Sequence, residues 1–287
     1  MSGIPAPLPG GPAGARDHLV LLPLRDDTPC QRWPLVTWAL LLGNLAAFAW
    51  QLQVGERSVL IGGAIPLELL TFHDVWPRDL VPPPLTILTS MFLHAGLLHL
   101  GGNMLTLWIF GNNVEDALGR RRFLGFYLAA GVVAAAVQAL ATAVQAASLS
   151  PGDATALLSV PMVGASGAIA GVLAAYLVLY PRARVQALLL VFVVRLPAVV
   201  FIGGWFLLQL LAALSGATTG VAVFAHLGGF VTGLLLVRLG RRRAGWRCRR
   251  PTRTWGGPGR AARRATCSEA RAEGPRRSRG GRRCAAP

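Results

Sequence analysis

The sequence predicts an all-α, polytopic membrane protein in which six helices cross the bilayer as a bundle. Of its 287 residues, 53% are hydrophobic and only 14% are charged, and the mean hydropathy is +0.51. A soluble domain of this length is seldom so apolar. The apolar residues gather in long segments, and a segment of about 20 residues is enough to cross a hydrocarbon core of about 30 Å.

The predicted spans are the six longest apolar segments, of which the second is the shortest. They cover residues 34–54, 97–114, 123–147, 162–180, 197–215 and 220–238. The connection 55–96 is unusually long, so we expect it to be partly helical and to lie in the membrane interface. Residues 185–196 are also apolar, but Arg195 and Pro197 interrupt the pattern. We interpret them as an interfacial lead-in to the fifth span.

Composition divides the chain into three parts. Residues 1–33 are rich in Pro, Gly and Ala and are expected to form a disordered cytoplasmic segment, followed by the membrane domain at 34–240. The N-terminus lacks the apolar core of a cleavable signal peptide, so the first span is expected to act as an uncleaved anchor. Residues 241–287 are expected to form a disordered, arginine-rich cytoplasmic tail.

The formal net charge of +16 lies almost entirely in that tail. From Arg241 onward there are 16 arginines, opposed only by Glu269 and Glu273. Because the tail directly follows a membrane span, we expect it to contact anionic lipid headgroups rather than nucleic acid.

Arginine placement also predicts the orientation of the bundle. Arginines follow the second, fourth and sixth spans, whereas the loops 148–161 and 216–219 contain none. By the positive-inside rule both termini are cytoplasmic, in what we expect to be a bacterial cell membrane. The four cysteines lie outside the spans without metal-ligand spacing, so no disulfide, metal or cofactor is expected.

A serine and a histidine stand out because polar groups at membrane depth are costly and usually functional. Ser166 lies in the sequence Gly164-Ala165-Ser166-Gly167 at the start of the fourth span, and His226 lies at a similar depth in the sixth. A hydroxyl beside a neutral imidazole can act as a nucleophile with its general base. The alternatives are a serine that only satisfies backbone groups and a histidine that only bridges helices.

The second span carries two further polar side chains. His99 and Asn103 are four residues apart and therefore share one helix face. With the backbone N–H of Ser166 they could form an oxyanion hole, in which each donor is worth about 3–4 kcal/mol to acyl transfer. The alternative role for Asn103 is an interhelical hydrogen bond.

Close packing of the fourth and sixth spans is predicted by small residues at four-residue spacing. Gly167 and Gly171 form one such face, and Gly229 and Gly233 form another below His226. Faces of this kind let membrane helices approach closely, although they also occur in proteins that are not enzymes.

Taken together, three motifs resemble those of the rhomboid family of intramembrane serine proteases. They are His94-(x4)-His99-(x3)-Asn103, Gly164-Ala165-Ser166-Gly167 and Ala225-His226-(x2)-Gly229-(x3)-Gly233, and the resemblance covers residues 34–240. It implies a Ser166–His226 dyad without a carboxylate, an oxyanion hole of His99, Asn103 and the Ser166 N–H, and a turn shaped by Gly164. It further implies cleavage within transmembrane segments of single-span proteins in the bilayer, without a cofactor.

The chain departs from the family pattern in two places. Many members carry a Trp-Arg pair in the first loop, but here the nearest sequence is Trp76-Pro77-Arg78. Some members place a tyrosine against the histidine four residues after the serine, where this chain has Ala170. The sequence therefore leaves open what orients His226.

Other polar and aromatic residues are expected to act outside the chemical step. We expect His94 to make a structural hydrogen bond, and Glu115 to brace Arg120–Arg122 or a helix terminus. The family resemblance suggests a side gate for substrate at the fifth span, which carries Phe201, Trp205 and Phe206.

The sequence argues against three alternative functions. A catalytically inactive rhomboid-like protein that binds membrane clients would be expected to lack the serine or the histidine, and both are present. A small-solute transporter would favour internal repeats, which the two halves do not show. A soluble hydrolase elbow, G-x-S-x-G, requires a glycine where this chain has Ala168, and no predicted strand precedes the serine.

Overall fold

The computed structural model describes residues 21–28, 30, 32–75, 81–189, 191–215 and 222–244. Within them the chain is mainly helical, as predicted. The helices are α1 (Leu35–Val54), α2 (Arg57–Gly62), α3 (Pro66–Thr71), α4 (Pro83–Ser90), α5 (Leu97–Thr106), α6 (Asn112–Leu118), α7 (Arg120–Ala146), α8 (Pro151–Leu158), α9 (Ser166–Leu179), α10 (Ala198–Leu214) and α11 (Val223–Ala244). A π-helical turn, Leu107–Gly111, joins α5 to α6.

Three of the described helices are long and apolar enough to cross a membrane. They are Leu35–Val54, Arg120–Ala146 and Val223–Arg241. The helices α9 and α10 are apolar but shorter, with 14 and 17 residues. The predicted second span is part of the helical run 97–118 that contains the π turn. The helical bundle therefore agrees with the sequence, while the number of six spans stays a prediction.

The centre of the bundle is α9, which packs between α7 and α11. Small residues make this possible, since Gly167 lies against Ala134 of α7 and the backbone of Ala225. A Cβ on Gly229 would overlap the carbonyl oxygen of Gly167, and one on Gly233 would overlap Gly171. The two predicted small-residue faces therefore meet, with the helix backbones in direct contact.

A small antiparallel sheet was not expected from the sequence. Its strands are β1 (Leu21–Asp26), β2 (Arg184–Leu189) and β3 (Phe192–Pro197), in the order β1-β2-β3. The register pairs Leu22 with Leu188 and Arg184 with Pro197. One expectation is corrected here, because part of the segment 1–33 is a strand rather than disordered. The lead-in 185–196 takes the form of a β-hairpin.

The physical reason lies in long-range pairing. On β2, the side chains of Val185 and Ala187 are fully buried, and they alternate with partly or fully exposed neighbours in the period of two that strands require. The partner strand β1 is more than 150 residues away in sequence. A short apolar run cannot be assigned to a strand by its own pattern, so the sheet was missed.

The long connection between α1 and α5 is partly helical, as expected. It contains α2, α3 and α4, and the hydroxyl of Thr89 on α4 donates to the carbonyl of Gly62 over 2.7 Å. Ala64 and Met162 exchange two backbone hydrogen bonds of 3.0 and 2.8 Å, which hold the connection against the segment that precedes α9. The Trp76-Pro77-Arg78 sequence lies outside the described residues, as do residues 1–20 and 245–287 at the two ends.

At the end of α9 opposite Ser166, a buried polar network ties the helix to the N-terminal strand. The hydroxyl of Tyr176 donates to Oδ2 of Asp26 over 2.7 Å and lies 3.0 Å from Oγ1 of Thr28. Nδ2 of Asn113 donates to the same Asp26 oxygen over 2.8 Å. Burial raises the pKa of Asp26, and the hydrogen bonds from Tyr176 and Thr28 oppose that shift.

Glu115 serves a helix terminus, one of the two roles expected for it. Its carboxylate accepts hydrogen bonds from the backbone N–H groups of Val36 and Thr37, at 3.0 and 2.7 Å, and from the Thr37 hydroxyl at 2.8 Å. The first N–H groups of a helix have no intrahelical acceptor. Glu115 therefore caps α1 and joins it to α6.

Candidate active site

Ser166 is the first residue of α9, and a tight turn brings it there. Gly164 has φ +128°, a conformation that residues with a Cβ rarely adopt, and its N–H donates to the Ser90 carbonyl over 2.9 Å. A Cβ at this position would lie 2.8 Å from Cε1 of His99. Glycine is thus required both by the backbone and by the approach of the histidine, which supports the predicted role of Gly164 in shaping the turn.

The two residues predicted as a dyad are in direct contact. Nε2 of His226, on α11, lies 2.8 Å from Oγ of Ser166. The ring is largely buried, with 8% of the residue exposed. The Gly167–Gly229 contact lies close to this pair along the same two helices, which explains how the side chains of α9 and α11 come within hydrogen-bonding distance.

The other ring nitrogen of His226 has a partner that the sequence reasoning missed. Nδ1 lies 2.9 Å from Oε1 of Gln209 on α10. Trp205, one turn earlier on α10, packs its ring against the imidazole with 5.5 Å between the centroids. One signal was available, because Gln209 is the only polar side chain between Ala198 and Leu214.

Asn103 and His99, on α5, line the same cavity as Ser166 and His226, which has a volume of about 880 Å³. Nδ2 of Asn103 is buried and has no hydrogen-bond acceptor among the described residues. The Ala95 N–H donates to Nδ1 of His99 over a long 3.4 Å, which favours the tautomer with its proton on Nε2. Both side chains therefore offer an unused donor in the cavity that Ser166 lines.

His94 supports His99 rather than facing the reaction. Its ring meets the His99 ring edge-on, with 5.1 Å between the ring centroids. Its backbone N–H donates to the Gln51 amide oxygen over 2.9 Å, and its carbonyl accepts from the Gln51 amide nitrogen over 3.2 Å. Burial, assisted by the nearby His99, lowers the pKa of His94 to about 4, so the ring is neutral at pH 7. The expected structural role involves the backbone, since neither ring nitrogen has a partner among the described residues.

The aromatic residues of α10 all contact the bundle. Phe201 stacks on Phe110 at 6.1 Å, and Phe206 stacks on Phe230 of α11 at 4.3 Å. Phe201 and Trp205 also line the cavity that contains Ser166. The fifth predicted span therefore forms one wall of the candidate site.

Helices of this length and hydropathy, enclosing buried polar side chains, define an integral, multi-pass membrane protein. Comparison of the sequence with protein families gives the class a name. The Rhomboid domain model matches residues 83–243, more than half of the chain. The protein belongs to the rhomboid family.

Individual relatives agree with that assignment. The chain is 30% identical over 208 residues to Rhomboid protein 1, mitochondrial, of Saccharomyces cerevisiae, which covers 70% of this chain and 51% of the relative. It is 33% identical over 171 residues to Presenilin-associated rhomboid-like protein A, mitochondrial, of Danio rerio, a match that covers 58% of this chain and 40% of the relative. A bacterial relative, Rhomboid protease AarA of Providencia stuartii, is 26% identical over 208 residues, or 70% of each chain. The chain spans about half or less of the length of the two mitochondrial relatives.

Proposed function

We propose that the protein is an intramembrane serine endopeptidase that cleaves transmembrane segments of membrane proteins. The observation that carries the proposal is the 2.8 Å contact between Oγ of Ser166 and Nε2 of His226, at the wall of a cavity with unused hydrogen-bond donors. A nucleophile within hydrogen-bonding distance of a base is the arrangement that acyl transfer requires.

In the proposed reaction, Oγ of Ser166 attacks the carbonyl carbon of the scissile peptide while its proton passes to Nε2 of His226. The carbonyl oxygen becomes an oxyanion held by Nδ2 of Asn103, the Nε2–H of His99 and the Ser166 N–H. As the first residue of α9, Ser166 has an N–H without an intrahelical acceptor, at the positive end of the helix dipole.

Collapse of this intermediate breaks the C–N bond, and His226 donates its proton to the leaving amine. The acyl group stays on Ser166 as an ester. Water then transfers a proton to His226 and attacks the ester. As this second intermediate collapses, it releases the new carboxyl end, and His226 returns the proton to Oγ of Ser166. These steps use groups of the protein and water alone, so neither a metal nor a cofactor takes part.

Substrate and topology are proposed on the same basis. Substrates would be single-span proteins whose helix unwinds near small residues, because a peptide bond within an intact helix cannot reach Ser166. The arginine distribution supports cytoplasmic termini and an outward-facing site, and it supports contact of the 241–287 tail with anionic headgroups. The relatives include mitochondrial and bacterial proteins, so we propose that the protein is located in a mitochondrial or a bacterial membrane.

The test is cleavage of a tagged single-span substrate by the purified full chain in detergent or liposomes. Ser166→Ala and His226→Ala should each reduce turnover by about 10³-fold or more, because both residues act in every step. Matched controls are Ser148→Ala and His73→Ala, which alter exposed residues away from the cavity and should leave turnover unchanged. A fluorophosphonate should label the wild type and not Ser166→Ala.

The principal alternative is a rhomboid-like protein that binds membrane clients without cleaving them. It predicts capture of the substrate with no product, and equal behaviour of the wild type and Ser166→Ala. Full turnover by Ser166→Ala would also exclude the proposed dyad.

A further inference from the structure

The polar contact between α10 and His226 has no role in the dyad as proposed. In the described part of α10, Gln209 directs its amide oxygen to Nδ1 of His226 over 2.9 Å, while Nε2 of the same ring contacts Ser166 over 2.8 Å. The imidazole is therefore held at both nitrogens. Gln209 thus occupies the position that the carboxylate has in a Ser-His-Asp triad.

We propose that Gln209 is a positioning residue that completes a Ser166–His226–Gln209 triad with an uncharged third member. The inference rests on the proposed protease function and names the group that orients its base. An amide oxygen can only accept a hydrogen bond, so its contact with Nδ1 requires the proton of a neutral ring to be on Nδ1. The lone pair of Nε2 is then free to accept the Ser166 proton.

The alternative tautomer shows why this matters. A neutral imidazole with its proton on Nε2 would donate to Oγ of Ser166 and could not act as its base. A triad whose histidine is held in the wrong tautomer loses about 10⁴-fold in turnover. Fixing the tautomer can thus contribute to the rate even when the third residue has no charge.

Gln209 can do this because of its place on α10. Phe201, Trp205 and Gln209 follow one another at four-residue intervals and so share a face. Phe201 is buried against Phe110, and Trp205 lies on the His226 ring. Leu207, on the opposite side of the helix, is 53% exposed. Gln209 is thus on the face directed into the bundle, beside a ring that already limits the orientation of the imidazole.

A purely structural role is the competing explanation, since a glutamine in a membrane helix can simply hold two helices together. Ala170 makes the positioning role more valuable here. It stands where some members of the family have a tyrosine against the histidine, and in this chain Trp205 and Gln209 from α10 contact the ring.

The experiment compares Gln209→Met, Gln209→Glu and the control Leu207→Met in the full chain with the single-span substrate. Methionine keeps the length and flexibility of glutamine but lacks a strong acceptor, so kcat should fall about 10- to 100-fold with KM within about twofold. Leu207→Met places the same side chain on the exposed face and should leave both constants unchanged.

Glutamate restores an acceptor and adds a charge, so Gln209→Glu should retain most of the turnover. A carboxylate next to the ring favours the protonated imidazole, and the acid limb of its kcat profile should therefore move to higher pH. His99 lines the same cavity and also titrates, but it is identical in all variants, so the shift reports on the contact at Nδ1.

The inference is overturned if Gln209→Met keeps kcat within about twofold of the wild type, or if Gln209→Glu leaves the acid limb in place. Should Gln209→Met not fold, the glutamate profile alone decides. Failure of the proposed function looks different, because then the wild type does not cleave or Ser166→Ala does. Inactive Ser166→Ala and His226→Ala beside an unaffected Gln209→Met would reject the triad alone.

Discussion

The helices α9 and α10 are both short and apolar, yet they are packed in opposite ways. Eleven of the 14 residues of α9 are buried, whereas only Ala198, Phe201 and Ile202 are buried among the 17 of α10. Ser166, the proposed nucleophile, is therefore on a helix enclosed by the bundle. The residues that contact the ring of His226 from the other side, Trp205 and Gln209, are on a helix that mostly faces outward.

The difference teaches how rigidity is distributed around the site. A helix enclosed on all sides has few alternative positions, because protein interiors are close-packed and resist displacement. A helix attached along one face can move away at a smaller cost. The placement of Ser166 should thus tolerate little change at α9, whereas substitutions on the outer side of α10 should be almost silent.

The largest loss of stability should come from adding one methyl group at the contact between α9 and α11. Gly229→Ala places a Cβ on the carbonyl oxygen of Gly167 and forces the helices apart. We expect a loss of about 3 kcal/mol or more in unfolding free energy and at least a 10-fold loss of turnover. Thermal unfolding in detergent, followed by cleavage assays, measures both.

The same substitution on α10 is the matched control. A Cβ on Gly204 meets no atom within 4 Å, so Gly204→Ala should leave turnover unchanged. Because alanine has the higher helix propensity, the unfolding free energy should rise by no more than about 1 kcal/mol. If the two variants lost stability equally, the contrast between the two helices would be wrong.

A smaller effect is expected where α9 is tied to β1. Tyr176→Phe removes the hydroxyl that donates to Asp26 and contacts Thr28, leaving a buried carboxylate with one donor fewer. Loss of such a bond costs about 1–3 kcal/mol, and the melting temperature should fall accordingly. Turnover of the folded fraction should stay close to that of the wild type, because Ser166 is at the other end of the helix. A large fall in turnover with unchanged melting would contradict this assignment.

The smallest effect is a pH dependence at the same network. Burial raises the pKa of Asp26 in the folded protein, so the folded state holds its proton more tightly than the unfolded state. The associated stability is present below the ordinary pKa and is lost as pH rises through the raised value. Between about pH 4 and pH 7 the melting temperature of the wild type should therefore decline relative to that of Asp26→Asn. A difference between the two that stays constant over this range would show that Asp26 is not the titrating group.

Much of this architecture could be predicted from the sequence because it is encoded locally. Apolar runs predicted the helices, and small residues at four-residue spacing predicted the meeting of α9 and α11. Ser166 and His226 could be paired from the sequence because each is a costly polar group in an apolar run. Asn103 and His99 share a helix face, and the family resemblance implied that this face meets the Ser166 N–H.

Other features depended on contacts between distant segments. The strand β1 forms only because β2 lies beside it, and neither has a strong pattern of its own. Gln209 was visible as an isolated polar residue, but helix periodicity does not tell which neighbour a face will meet. With Ala170 four residues after Ser166, the sequence left open what orients His226, and in the structure Gln209 of α10 contacts the ring.

The sequence by itself determined the membrane class, most of the helices and the polar residues of the proposed site, because hydropathy and the cost of a buried polar group act at each position. The tertiary structure decided the 2.8 Å approach of Ser166 to His226, the sheet at the opposite end and the partnership of Gln209 with the imidazole. These depend on how rigid helices pack against one another, since a shift of about 1 Å between helices is enough to make or break a hydrogen bond.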